Sequence, residues 1–292
     1  MTVEVALRIK AQVGEGAIWD DQRSCLWWVD IRGQSVNALD PVIGHNQVWQ
    51  CDGMPGCLAL TQVGDLIIAV EHTLKDFSPQ HGWRDTARSW DQDRPDNRAN
   101  DGAVCRAGRF HIGTMARTRR DRAEGRLWQM DQSDGPTRYL LDGLHITNGL
   151  AFSPDNRTAY VSDSWSDVQG IWAYDYDGQT GDWSNRRLFF DTNTVPGRPD
   201  GACIDVDGCY WMAGVGGGEV LRITPKGKVD RRITLPVERP SRPAFGGANL
   251  DTLFVTSIGL DTADDALDGS ILAVDPKTAG LPEPRVSWAT QQ

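Results

Sequence analysis

Two strand patterns return six times each, in the same order, along a chain of 292 residues, and no linker or low-complexity tract interrupts them. Together these observations predict an all-β protein, a six-bladed β-propeller with four-stranded blades around a central channel, occupying residues 1–292 as one domain. The first pattern covers residues 26–30, 66–70, 110–114, 159–163, 210–214 and 253–257, each rich in β-branched or aromatic side chains after a turn-like segment. The second follows at 36–40, 74–77, 127–131, 171–175, 220–223 and 271–275. The spacing of about 40 to 50 residues suits a four-stranded blade, and an ordinary β-sandwich would not repeat two patterns in register. Residues 3–9 and 285–288 are expected to pair in one blade, because closure removes exposed edges.

One unit shows how a blade begins. Residues 146–148 read as an approach loop ending in Asn148, and 149–153 as a short strand. Ser153-Pro154-Asp155-Asn156 is a turn, since Pro154 pre-sets φ while Asp155 and Asn156 bond their own backbone. The second strand follows at 158–162.

Composition narrows the function. A net charge of −10 and a pI near 4.9 argue against a phosphate-binding surface, which needs a basic stripe, and so against nucleic-acid binding. No apolar run approaches the roughly 20 residues of a membrane helix, and residues 1–5 carry no export signal, so a cytoplasmic monomer is expected. Cys25, Cys51, Cys57, Cys105, Cys203 and Cys209 include no Cys-x-x-Cys spacing and read as buried free thiols.

Aligning the first strands brings out a third pattern. Glu15-Gly16, Pro55-Gly56, Asp101-Gly102, Asn148-Gly149 and Asp200-Gly201 hold one position on five blades, and 243–246 fits it less well. Innermost strands of a propeller surround the channel, so equivalent positions form a ring. Glu15, Asn148 and Asp200, with Asn100 and Asp101 beside them, therefore place oxygen donors around one small volume. Crowded carboxylates need a compensating cation or a proton, and a hard divalent ion supplies the first.

At these residues the chain resembles the regucalcin (senescence marker protein)/gluconolactonase family of six-bladed propellers. The resemblance spans essentially the whole chain and rests on residues 14–19, 98–102, 113–116, 146–149, 184–187, 199–201 and 245–247. It implies that Glu15, Asn148 and Asp200 hold one divalent ion (Ca²⁺, Zn²⁺, Mn²⁺, Mg²⁺ or Fe²⁺), and that Arg98 and Asn100 bind substrate. Asn100 thus replaces Asp101 as the ring residue of the third blade, and Asp101 becomes its supporting neighbour. Where some relatives carry a substrate-touching carboxylate after Gly113-Thr114-Met115-Ala116, this chain has Arg117, opening a basic loop (117–122) able to cover the site.

The resemblance implies a sugar lactonase that opens an aldonolactone to the aldonic acid. The ion would act as Lewis acid, Asp200 as general base, and Arg98 and Asn100 would orient hydroxyls and stabilise the oxyanion. Another metal-dependent ester or organophosphate hydrolase, or a non-catalytic metal-binding propeller, are the alternatives. Arg98, Asn100 and Arg117 favour a polyhydroxylated ligand over an apolar ester. Gly214-Val215-Gly216-Gly217-Gly218 has no following helix to cradle a pyrophosphate, and is expected to let backbone pass close to a ligand. No Gly-x-Ser-x-Gly elbow exists, and the five histidines lack metal spacing; His145 is expected to make a structural hydrogen bond.

Overall fold

The computed structural model describes residues 2–131 and 137–288. They form five antiparallel four-stranded sheets and a sixth that gains a short fifth strand, the blades of a six-bladed propeller. Among the described residues no helix is long and apolar enough to cross a membrane.

The innermost strands are Gly14–Asp20, Pro55–Thr61, Asn97–Val104, Thr147–Phe152, Arg198–Ile204 and Pro240–Gly246. Each touches the innermost strand of the next blade, and the last touches the first, so the ring closes. The second strands contain all six expected patterns: Cys25–Asp30, Leu66–Val70, Phe110–Ala116, Thr158–Asp163, Tyr210–Val215 and Thr252–Ser257. Neighbouring blades cover both faces of these strands. That is why Leu66–Val70 is apolar and buried throughout rather than alternating, whereas the outer strand His45–Gln50 stays polar and largely exposed.

The core is thus a series of wedges between blades. Trp27, Leu58, Leu60, Ile68 and Phe77 fill the first, and Trp19 stacks on Phe254, centroids 5.7 Å apart, in the closing one. All six cysteines are free; five are buried and Cys203 is half-buried.

The two termini do not pair with each other. The sixth blade has three strands of its own, and Val3–Leu7 completes it by pairing antiparallel with Ile271–Val274. The C-terminal segment, interrupted by Pro282 and Pro284, cannot supply a regular central strand. Among the described residues after Pro282 it is Arg285–Val286 that pairs, parallel to Leu60 and Thr61 of the second blade. Asp20 and Asp21 hold Arg285 at 2.8 and 2.7 Å, while Val286 and Trp288 enter the wedge between second and third blades.

Every innermost strand loses register with its neighbour at the same level. The slips fall between Glu15 and Ile18, Pro55 and Cys57, Ala99 and Asp101, Asn148 and Ala151, Pro199 and Ala202, and Pro240 and Pro243. An extra residue at such a bulge bends the strand and re-aims a side chain. At Gly149 (φ +63°) a Cβ would lie 2.2 Å from the Tyr210 hydroxyl, so no side chain fits there.

Candidate active site

The bulges turn Glu15, Asn100, Asn148 and Asp200 toward one cavity of about 630 Å³ at the channel mouth. Arg98 and Arg117 line it too. The floor is well covered, with Glu15, Asn148 and Asp200 at 5%, 3% and 7% exposure. A carboxylate at the end of the second strand ties down the loop leading into the first. Asp30 accepts the amides of Gln12 and Val13 at 2.8 and 2.9 Å, just ahead of Glu15. Asp163 does the same for His145 and Ile146, at 2.8 and 3.0 Å, ahead of Asn148.

A hydrogen-bonded arc then joins three blades. Asn100 Nδ2 donates to the Thr147 carbonyl at 3.0 Å and to Asn148 Oδ1 at 3.1 Å. Asn148 Nδ2 donates to Ser164 Oγ at 2.8 Å, and Ser164 Oγ donates to the carbonyl of Pro199, the residue before Asp200. The Asn148 oxygen is thereby aimed while one of its lone pairs stays free.

The two acids are less settled. Glu15 accepts only the Gly16 amide, at 2.9 Å, and Asp200 accepts no hydrogen bond among the described residues. Burial, then Asp101, lifts the Glu15 carboxyl to about 7. Burial, then Glu15 and Asp101, pushes Asp200 well above the usual carboxylate range. Among the described residues no three His, Cys, Asp or Glu side chains cluster as a metal site. Two buried, mutually repelling carboxylates that make no direct ion pair among the described residues, beside an aimed amide oxygen, fit a hard divalent ion.

Asp101 lies beside this floor rather than in the cavity wall. Its carboxylate pairs with the buried Arg242 at 2.5 Å and accepts the amides of Gly102 and Leu150 at 2.7 and 2.9 Å. The bulge of the third blade explains this: the slip falls at Asn100, so the following residue points elsewhere.

Arg98 is 9% exposed, donating to the Ala99 carbonyl at 2.7 Å. Burial first, then Arg120 and Arg32, draw its guanidinium down to about 10. Arg117 sits half-buried at the rim, 3.4 Å from Glu71. His145 makes the expected structural bond, its Nδ1 3.0 Å from the Arg120 carbonyl oxygen, with its ring stacked on Trp165. The glycine run serves the chain itself: a Cβ on Gly217 would meet the Pro196 backbone at 2.6 Å. It admits the segment leading to Arg198.

Sequence reasoning missed Ser164, Arg32, Arg198 and Arg239, all of which line the cavity. Arg198 carried a signal, standing two residues before Asp200 as Arg98 stands two before Asn100. The others come from loops whose spacing says nothing of where they converge.

Residues 13–259 match the family described as the SMP-30/Gluconolactonase/LRE-like region. The chain belongs to this family. It is 36% identical to a regucalcin of Danio rerio over 263 residues, covering 89% of this chain and 88% of the relative. It is 35% identical to a 6-deoxy-6-sulfogluconolactonase of Pseudomonas putida over 290 residues, covering 97% and 98%. Among solved structures, a calcium-binding protein, regucalcin, from Agrobacterium tumefaciens superposes with a TM-score of 0.90 at 27% identity, covering 96% of each chain. The SMP-30/gluconolactonase fold is therefore shared over 96% of the chain, and the family match spans the blades that carry Glu15, Asn100, Asn148 and Asp200.

Proposed function

We propose that this protein is a metal-dependent lactonase that hydrolyses a sugar lactone to the open-chain acid. The observation that carries the reading is the convergence of Glu15, Asn148 and Asp200, from three blades, on the buried floor of one cavity. Membership of a gluconolactonase-like family and the likeness to a sulfogluconolactonase support the same chemistry. The calcium-binding description of the Agrobacterium relative supports a divalent ion.

Glu15, Asn148 and Asp200 would hold the ion through oxygen atoms. When bound, it would polarise the lactone carbonyl and lower the pKa of nearby water. Asp200 would take the proton of the water whose oxygen attacks the carbonyl. As the ring C–O bond breaks, that proton passes to the departing ring oxygen, which becomes a hydroxyl. Arg98, a cation buried in the cavity wall, stabilises the charge developing on the carbonyl oxygen. Asn100 spends its amide hydrogens on Thr147 and Asn148, leaving its own oxygen to accept from a substrate hydroxyl.

The test is proton release from a panel of pentono- and hexono-lactones before and after chelator treatment, with divalent ions added back singly. Turnover lost to chelator and restored by one ion is expected. Retained metal with no lactone opened would favour a metal-binding propeller without catalysis. Chelator-resistant turnover would remove the ion from the reaction.

A further inference from the structure

The lactonase reading says nothing of what lies beyond the sugar ring, and the rim of the cavity does. Arg32, Arg98, Arg117, Arg120, Arg198 and Arg239 all line it, in a chain whose net charge is −10. Where acids outnumber bases an arginine readily finds a carboxylate, as others here do: Arg119 and Arg122, in the same loop as Arg120, both reach Glu124. Among the described residues the side chains of Arg32, Arg120 and Arg198 make no hydrogen bond and no ion pair. Arg98 donates only to the Ala99 carbonyl and the Met115 sulfur, and Arg239 only to the Leu260 carbonyl.

These cations face one another. Arg120 repels Arg32 and Arg198, and Arg98 repels Arg120, Arg32 and Arg117, so guanidinium groups from three blades look across one mouth. Holding like charges together without partners costs stability, and an anion seated between them relieves it. The backbone maintains the arrangement: the Arg120 carbonyl is held by His145, and the Gly214–Gly217 turn receives the segment before Arg198.

We infer that the substrate is a lactone bearing a strong anionic group, a sulfonate, phosphate or carboxylate, on the end remote from the reacting carbonyl. This rests on the lactonase reading, which puts the carbonyl at the floor. With the carbonyl committed to the floor, the remote end of the substrate lies at the rim, where Arg32, Arg120 and Arg198 receive an anion with planar, bidentate donors. A polyanion such as nucleic acid is disfavoured, because the rest of the surface is acidic and the basic patch is confined to a cavity.

The test compares kcat/KM for glucono-1,5-lactone with that for the same ring carrying a sulfonate, phosphate or carboxylate at its sixth carbon. The best anionic lactone is expected to lead the neutral one by about 100-fold or more, and the order of the three identifies the group. In Arg120→Gln and in Arg198→Gln that lead should shrink by about tenfold, through KM, as one charged hydrogen-bond donor is lost. A neutral lactone turned over as well as any anionic one, or variants that slow both equally, would overturn the inference and leave the lactonase reading intact. Should no lactone be opened, the lactonase reading fails, and calorimetric binding of 6-phosphogluconate decides the rim by itself. Binding that weakens about tenfold in Arg120→Gln supports the anion site, and absence of binding to the wild-type protein refutes it.

Discussion

Arg126 and Arg222, on the third strands of the third and fifth blades, each hold three carboxylates; Arg120 and Arg198, at the cavity rim of the same two blades, hold none. Arg126 meets Asp91, Asp93 and Asp142 at 3.2, 2.7 and 3.4 Å, and Arg222 meets Asp205, Asp207 and Asp230 at 2.7, 2.6 and 2.6 Å. Hydrogen bonding to Asp93 drives Arg126 above the usual arginine value, and Asp230 and Asp205 do so for Arg222 against its burial. Partial burial, then Arg32 and Arg198, move Arg120 the other way. One residue type thus does two jobs in one chain. Saturated arginines staple a blade to its loops and expose little field, while unsaturated ones leave their field available to a ligand.

The largest effect is expected at Arg222. Arg222→Met leaves Asp205 fully buried beside Asp207 and Asp230 with no cation, which should cost about 3–5 kcal/mol in urea unfolding. Turnover per folded molecule should hold. A loss below about 1 kcal/mol would make that triad no more than a surface pairing.

The second effect lies at the floor. Asp200→Asn keeps one oxygen for an ion but cannot take a proton, so turnover should fall by at least about 100-fold with metal partly retained. In chelator-treated protein the same change should raise stability near neutral pH. The carboxyl of Asp200 is pushed up on folding, so the native state resists its ionisation, and that penalty grows as pH rises above the unfolded value. Near-normal turnover with metal bound would move the base role elsewhere, Asp101 being next.

Smaller still, Ser164→Ala removes the link between Asn148 and Pro199 without touching a ligand atom. Metal affinity should weaken about tenfold, in line with other supporting groups around ions. Titration of the chelated protein with the restoring ion checks this, and unchanged affinity would mean that the bulge and Asn100 suffice to aim Asn148.

Arg117 is the intermediate case, lining the cavity yet 3.4 Å from Glu71. Because Glu71 already offsets part of its charge, Arg117→Gln should reduce the preference for an anionic lactone by less than about fivefold. A loss equal to that in Arg120→Gln would show that the pairing with Glu71 yields when ligand arrives.

Much of this was legible without coordinates, for a local reason. Runs such as 66–70 and 253–255 are apolar on both sides because each blade is covered by two others, and that imprint lies within a few consecutive residues. The ring oxygens Glu15, Asn148 and Asp200 were legible because a repeated position on repeated blades must fall at one height in the channel. Tertiary structure explained one matter and alone decided two. The family resemblance already prefers Asn100 to Asp101 against the ring alignment, and bulge placement supplies the reason, since a slip of one residue turns a strand side chain to the other face. Closure gave the open edge of the sixth blade to Val3–Leu7 and sent the proline-interrupted C-terminal segment to the second. The convergence of Arg32, Arg120 and Arg198, separated by up to 166 residues, depends on how far each blade turns about the axis, a quantity that no local pattern encodes.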